Sequence, residues 1–228
     1  MDTLCIDIGG SGLKAIVLDA QGQPLGERVR VETPRPATPA AVMHALAGLI
    51  APLAAFDRVS VGFPGVVVDG TTHSAPNLHP EWAGFPLAAT LAEHTGKPVR
   101  AANDAGVQGL GVIEGRGVEL VLTLGTGMGF ALFSGGHYVP NIEMAHHISR
   151  GRRTYEERIG NAARERVGNK RWRRRVSRVI AQLEPVFNYR VLYLGGGNAR
   201  HLAAAALPDN ARVVANVAGL LGGLRLWD

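Results

Sequence analysis

Two segments of this chain are written in the same grammar. "TLCIDIGGSGLKAIVLDAQGQP" near the start and "VELVLTLGTGMGFALFSGGHYVP" at the midpoint each run apolar strand, glycine-rich turn, apolar strand, short turn. That order predicts two β-hairpins built alike, an internal repeat at the level of topology. After the first hairpin, "DAQGQ" turns into a third strand, so the opening reads as a meander. "AAVMHALAGLIAPLA" predicts a helix that Pro52 must stop or kink. "RVSVGFPGVVV" reads as a strand, "LAATLAEHTG" as a glycine-ended helix, and "PVRAAND" as a strand that stops at two polar residues before a glycine-rich helix. In the second half, Glu143 to about Leu183 is expected to be mostly helical. "RVLYLGGGNA" then reads as a strand leading into a helix near "RHLAAAAL", followed by the short strand "ARVV" and a terminal helix in "ANVAGLLGGLRLW".

With 228 residues, 46% hydrophobic and 19% charged, the chain is globular and long enough for one large domain or two small ones. Its 30 glycines show no collagen period and gather at strand ends instead. The single cysteine, Cys5, excludes an internal disulfide or a cysteine-rich zinc site. No basic segment leads into an apolar one at the start, and no apolar run reaches the roughly 18 residues of a membrane span. The expectation is a cytoplasmic protein without membrane contact.

Net charge is only +5, but the surplus is local. Between Arg164 and Arg178 stand eight basic residues and one acid, Glu165. Trp172, Val176, Val179, Ile180 and Leu183 fall on one face of that segment at helical spacing, leaving the arginines around the rest. Such a helix is either a solvated face over a core or a binding face for a polyanion. It lacks the interleaved aromatics that nucleic-acid binding uses, so nucleic acid is not the expected partner.

Three glycine turns and two polar clusters carry the chemistry. "DIGGSGLK" sets Asp7 before Gly9, Gly10, Ser11 and Gly12, with Lys14 beyond; "LGTGMG" supplies Gly125, Thr126 and Gly127; "LGGGNA" supplies Gly195, Gly196 and Gly197. None fits the GxGxxG or GxxxxGK[ST] nucleotide patterns, and each alone could be a plain turn. Together they suit the backbone binding of a phosphate chain. The third, ending a strand and opening a helix, suits a phosphate or nucleoside. In "RAANDAG", Asn103 and Asp104 could cap the next helix, or one could accept a proton from a substrate hydroxyl while the other caps. In "NIEMAHHIS", a spacing of three puts Glu143 and His146 on one helical face, suited to a polyol or to part of a metal site.

In this order, "DIGGSGLK", "PNLHPEW", "AANDAG", "LTLGTGMG", "EMAH" and "YLGGGNA" resemble the ROK (repressor, open reading frame, kinase) family of sugar kinases, most closely its polyphosphate-glucokinase branch. The resemblance implies an α/β, actin-like ATPase (sugar kinase/Hsp70) fold: two ribonuclease H-like domains with a central cleft that closes to exclude water. The expected boundaries are 1–113 and 114–228, with the terminal helix free to pack back on the first domain. The implied activity is phosphoryl transfer from polyphosphate, ATP or both to the 6-hydroxyl of glucose or a related hexose, with a non-catalytic sugar- or nucleotide-sensing relative as the alternative.

By the same resemblance, Asp104 is the catalytic base, and Asn77, Asn103, Glu143 and His146 hold the sugar. Asp7 sits near Mg²⁺, directly or through water, and the second turn faces the first across the cleft. Gly195 to Gly197 meet the far end of the donor, and Arg173, Arg174 and Arg175 are the candidate polyphosphate track. A homodimer is a family habit. Three departures stand out: no structural zinc is expected, Ala145 replaces the family's usual glycine, and the family's further sugar-binding glutamate has no clear counterpart.

Overall fold

The computed structural model describes residues 1–203, 206–214 and 218–228. The chain divides into two compact units, Met1–Gly111 with Gly219–Asp228, and Val112–Ala218.

In the first unit the meander is β1 (Thr3–Ile8), β2 (Leu13–Leu18) and β3 (Val29–Val31), followed by helix α1 (Pro39–Ile50). Thr38 caps α1 by accepting the Ala41 N–H, and Pro39 occupies its first position. The helix is over before Pro52 can interrupt it. Then come β4 (Arg58–Phe63), the small ribbon β5 (Val67–Val68) and β6 (Thr71–Thr72), α2 (Leu87–Thr95), β7 (Val99–Asn103) and α3 (Asp104–Leu110). The sheet order is β3-β2-β1-β4-β7, antiparallel through the meander and parallel beyond it. Leu4, Ile6, Ile8, Val59, Val61 and Phe63 pack its core against α1 and Trp82.

The second unit repeats the plan. Strands β8 (Val118–Leu124), β9 (Met128–Ser134) and β10 (His137–Val139) form its meander, with a ribbon β11 (Ile148–Arg150) and β12 (Arg153–Thr154) after it. Helices α4 (Tyr155–Ile159) and α5 (Asn161–Phe187) precede β13 (Val191–Gly195) and β14 (Ala211–Val213). The order β10-β9-β8-β13-β14 matches the first sheet position for position, including the switch from antiparallel to parallel pairing. The hydrophobic face of α5 packs as its spacing predicts, with Trp172, Val176, Val179, Ile180 and Leu183 all buried. Gly168, at φ 74°, breaks the helical path and divides the basic run in two.

Two sequence expectations change here. Glu143–His147 is not helical: the segment is irregular and ends in a turn closed by the His147 N–H on the Met144 carbonyl. The carbonyls of Ala145 and His147 accept the N–H groups of Glu156 and Tyr155 instead, so tertiary bonds with α4 replace a helical ladder. The "LGGGNA" turn opens only a three-residue 3₁₀ turn, Ala199–His201. The helix expected near "RHLAAAAL" includes positions 204–205, outside the described residues.

The terminal helix α6 (Ala218–Arg225) belongs to the first unit; the start of its expected span, 215–217, lies outside the described residues. Gly222 must be glycine there, because a Cβ would stand 1.7 Å from the Val107 carbonyl oxygen. Beyond it the Trp227 ring lies under two guanidinium groups, Arg58 at 5.0 Å and Arg100 at 4.6 Å, and its N–H donates to Ser60 Oγ at 2.8 Å. Trp227→Ala should therefore destabilise this unit by about 2 kcal/mol, from lost packing and two cation–π contacts. A denaturant midpoint shows the loss; an unchanged midpoint would mean that the C-terminal segment contributes nothing.

Candidate active site

Both hairpin turns use one device. In the first, the Gly9 N–H bonds the Gly12 carbonyl and closes the turn. Its other carbonyls are held by side chains: Gly9 O by the Thr33 hydroxyl, Gly10 O by Arg35 Nη2 at 3.2 Å, and Ser11 O by Arg30 Nη2 at 3.4 Å. In a trans peptide the N–H points opposite to the C=O, so the N–H groups of Gly10, Ser11 and Gly12 are turned away from those side chains. They make no hydrogen bond within the described residues.

The second turn is closed by the Gly125 N–H on the Gly127 carbonyl at 3.1 Å. The Gly125 carbonyl accepts from the Asn161 N–H and Asn198 Nδ2, and the Thr126 carbonyl from the Asn161 N–H. The N–H groups of Thr126 and Gly127 are left turned the other way. Two turns, each with carbonyls occupied on one side and amides presented on the other, are ready-made anion cradles.

Around the first turn the fold gathers most of the first unit's predicted residues. Asp7 and Lys14 face each other across the β1–β2 pair and form an ion pair at 2.7 Å. Asn77 lies against Gly10, where an added Cβ would meet its carbonyl oxygen at 3.4 Å. Asp7 registers with Gly62 on β4, and a Cβ at Gly62 would meet the Asp104 Cα at 3.4 Å. Asp7, near the end of β1, and Asp104, just past the end of β7, thus flank β4.

The Asn103–Asp104 pair divides its labour. Asn103 is the cap: its Oδ1 accepts the N–H groups of Ala105 at 2.9 Å and Gly106 at 3.4 Å, and its Nδ2 donates to the Gly65 carbonyl. The other amide hydrogen of Asn103 makes no hydrogen bond among the described residues. Asp104 is the first residue of α3, half-buried, with Oδ1 on the Ala105 N–H at 2.7 Å.

In the second unit, Glu143 and His146 lie near each other although no helix carries them, and Glu156 joins them. Burial pushes the Glu143 carboxyl above the usual range; His146 pulls it back, and the neighbouring Glu156 carboxylate raises it further. Glu156 Oε2 accepts the Met128 N–H at 3.2 Å, directly beside the second turn. Gly127 makes that approach feasible, since a Cβ there would stand 2.0 Å from the same oxygen. Sequence spacing gave no hint of Glu156. The capping box at Thr154, reciprocal with Glu157, fixes the start of α4 and so aims it. Ala145 is buried and its carbonyl takes the Glu156 N–H, joining the segment to the same helix.

The third turn adjoins the second. The Asn198 N–H donates to the Leu124 carbonyl at 2.8 Å and its side chain to Gly125, placing Gly195 to Gly197 beside Gly125. The three arginines of the expected track do not stay together. Arg173 donates to the Asn169 carbonyl, and Asn169 Oδ1 also accepts from Arg164, whose guanidinium grips Asn161 beside the second turn. Slight desolvation, then Arg164, Arg200 and Arg173, hold the His201 imidazole below its ordinary pKa, so these cations share one neighbourhood. Arg175 points elsewhere, toward the Arg158 carbonyl at 3.5 Å. Arg174 is exposed.

Among the described residues no three His, Cys, Asp or Glu side chains converge as a metal cage, and no helix is long and apolar enough to cross a membrane.

Comparison with known proteins bears on this arrangement. Residues 3–149, well over half of the chain, match the model of the ROK family. The chain belongs to that family. It is 32% identical to polyphosphate glucokinase of Mycobacterium tuberculosis over 95% of its own length and 88% of that protein's. The crystal structure of the inorganic polyphosphate/ATP-glucomannokinase of Arthrobacter sp. strain KM superposes with a TM-score of 0.88 at 33% identity, covering 98% of this chain and 97% of that one. A ROK family glucokinase from Streptomyces griseus, solved with glucose and AMPPNP, reaches a TM-score of 0.83 at 21% identity over 99% of both chains. The fold is the actin-like ATPase fold of the ROK sugar kinases, and the repeated five-stranded sheets are its two ribonuclease H-like units.

Proposed function

We propose that this ROK protein transfers a phosphoryl group from inorganic polyphosphate, ATP or both to the 6-hydroxyl of glucose or a related hexose. The observation that carries the reading is the pair of like-built turns, one in each unit, that present unspent backbone amides. Its relatives support the choice of substrates: one carries the name polyphosphate glucokinase and another polyphosphate/ATP-glucomannokinase.

In this reading the first unit supplies Asp104 as the base. Its carboxylate takes the proton of the 6-hydroxyl as that oxygen attacks the terminal phosphorus, and the donor's bridging P–O bond breaks. Asn77 and the remaining amide hydrogen of Asn103 orient the sugar. Glu143 and His146 bond sugar hydroxyls, and Glu156 supplies the further acidic group that the family resemblance left without a counterpart. The amides of Gly10, Ser11 and Gly12 and those of Thr126 and Gly127 receive phosphate oxygens, in turns that Gly9 and Gly125 close, with Gly195 to Gly197 toward the donor's far end. Arg164, Arg173 and Arg200 give that end positive charge.

The residues also fit magnesium. A Mg²⁺ ion is held through one or two carboxylates plus the donor's phosphates, and Asp7, paired with Lys14 at 2.7 Å, supplies such a carboxylate. When bound, the ion neutralises phosphate charge. The cytoplasm as location and a homodimer as assembly belong to the same proposal.

The acceptor atom is tested with 6-deoxyglucose. It should bind, measured by calorimetry, within about threefold of glucose, because only one hydroxyl is missing, and should yield no phosphorylated product with either donor. Product from 6-deoxyglucose would move the transfer to another hydroxyl.

A further inference from the structure

The second unit carries a cationic face that the reaction does not use. Arg150 and Arg153 stand opposite each other in the β11–β12 ribbon. Arg158 follows on α4, and Arg171, Arg175 and Arg178 fall on one stripe of α5 at spacings of four and three. Gln182 fastens the ribbon to α5 through Ser149, so these pieces form one surface. None of the six arginines makes an ion pair among the described residues.

The acids on the same elements are spent elsewhere. Glu156 bonds the Met128 N–H, Glu157 the Thr154 N–H, Glu165 the Asn161 side chain and Glu184 Asn210. Arg158 Nε is buried with no hydrogen-bond partner, an unspent donor of a kind that folded proteins rarely keep. Desolvation and the charges of Arg150, Arg178 and Arg153 hold the Arg158 guanidinium below the usual arginine range. Arg175 is lowered in the same way, by desolvation first and then by Arg158, Arg166, Arg153 and Arg171. The fold therefore bears a standing repulsion that no side chain relieves.

A ligand that relieves it must be an extended polyanion. Nucleic-acid binders add aromatic platforms on which bases stack, but Tyr155 and Trp172, the aromatics nearest this face, are buried in the core. A polyanion without bases fits better. Arg158 also stands three residues before Asn161, whose N–H bonds the Gly125 and Thr126 carbonyls of the second phosphate turn.

We propose that this face anchors the distal part of an inorganic polyphosphate chain whose terminal phosphate lies at Gly125–Gly127, so that long chains bind more tightly than short ones. This rests on the polyphosphate-donor reading above. It also assigns Arg175 to the anchor rather than to a track shared with Arg173.

The test uses the intact protein and a variant carrying Arg150→Ala, Arg153→Ala and Arg178→Ala, three exposed positions, with an unchanged melting profile as the folding control. Binding of long-chain polyphosphate and of tripolyphosphate is measured without sugar across a salt series. Loss of three phosphate contacts should weaken long-chain binding at least about tenfold and lower the salt slope by about two. Tripolyphosphate binding and the KM for ATP should stay within about twofold. Arg171→Glu, as a second variant, should reproduce the selective loss. Equal weakening for both chain lengths, or no weakening for the long one, overturns the anchor. Single-stranded DNA that outcompetes polyphosphate at equal phosphate concentration overturns the choice of ligand. A protein that binds long chains selectively but transfers nothing from them would leave the anchor standing and remove the donor reading alone. Normal polyphosphate turnover with a long-chain KM unmoved by the substitutions would do the reverse.

Discussion

Asp104→Asn should lower kcat by about a thousandfold with either donor, the scale of losing a positioned general base, while glucose binding changes by less than about threefold. The two outcomes separate because the neighbouring positions do different work. Asn103, not Asp104, caps α3, accepting two N–H groups and donating to Gly65. Replacing the Asp104 carboxylate with an amide keeps its shape and an acceptor for the Ala105 N–H, so the helix start should survive. What disappears is the ability to take a proton from the attacking hydroxyl. Single-turnover measurements with glucose in excess read the chemical step without product release. A loss below about tenfold would remove Asp104 as base. A comparable loss in glucose affinity would make it a binding group instead.

Glu119→Ala should cost the second unit about 4 kcal/mol. Glu119 is fully buried, and its carboxylate accepts the N–H groups of Glu114 at 2.9 Å, Gly115 at 2.7 Å and Arg116 at 3.0 Å, together with the Tyr193 hydroxyl at 2.9 Å. Alanine strands three backbone donors and a phenol in a space that held a carboxyl group, and each unmade bond carries a desolvation penalty of about 1–3 kcal/mol. Water entering the cavity offsets part of the sum. Glu119→Gln, which keeps one acceptor oxygen, should lose about half as much. Chemical denaturation followed by tyrosine and tryptophan fluorescence measures both variants, and a cost under about 1 kcal/mol for alanine would show that this loop is held by other means. The loop carries a second tie: Glu114 turns outward to pair with Arg190 at 2.7 Å and Arg212 at 2.9 Å, and these two hydrogen bonds hold its carboxyl below the usual range.

Local pattern reveals what local physics decides. The repeated hairpins announce both sheets because strand alternation and turn glycines are short-range signals, and the apolar stripe of α5 follows from helical spacing. Glu143–His147 misleads for the opposite reason: its composition suits a helix, but its carbonyls accept the Tyr155 and Glu156 N–H groups and hold it as a turn. The same tertiary contact conceals Glu156, whose role depends on α4 being aimed at Gly127 rather than on any spacing from Glu143. Arg30, Thr33 and Arg35 are invisible as parts of the first turn, since β3 must fold beside it before they can hold its carbonyls. At Asn103 and Asp104 both roles were legible, but only geometry tells which residue caps. The arginine run reads in sequence as one strip, yet the break at Gly168 and helical twist place Arg173 and Arg175 in different neighbourhoods.

The most direct test of the whole account is a coupled assay for glucose 6-phosphate with purified protein, glucose and Mg²⁺, run in parallel with ATP and with polyphosphate. Product should depend on added donor, appear with at least one of the two, and vanish in Asp104→Asn. Glucose binding without turnover from either donor, under conditions where the protein is folded, would contradict it and mark the chain as a sugar-binding relative that keeps the fold without the chemistry.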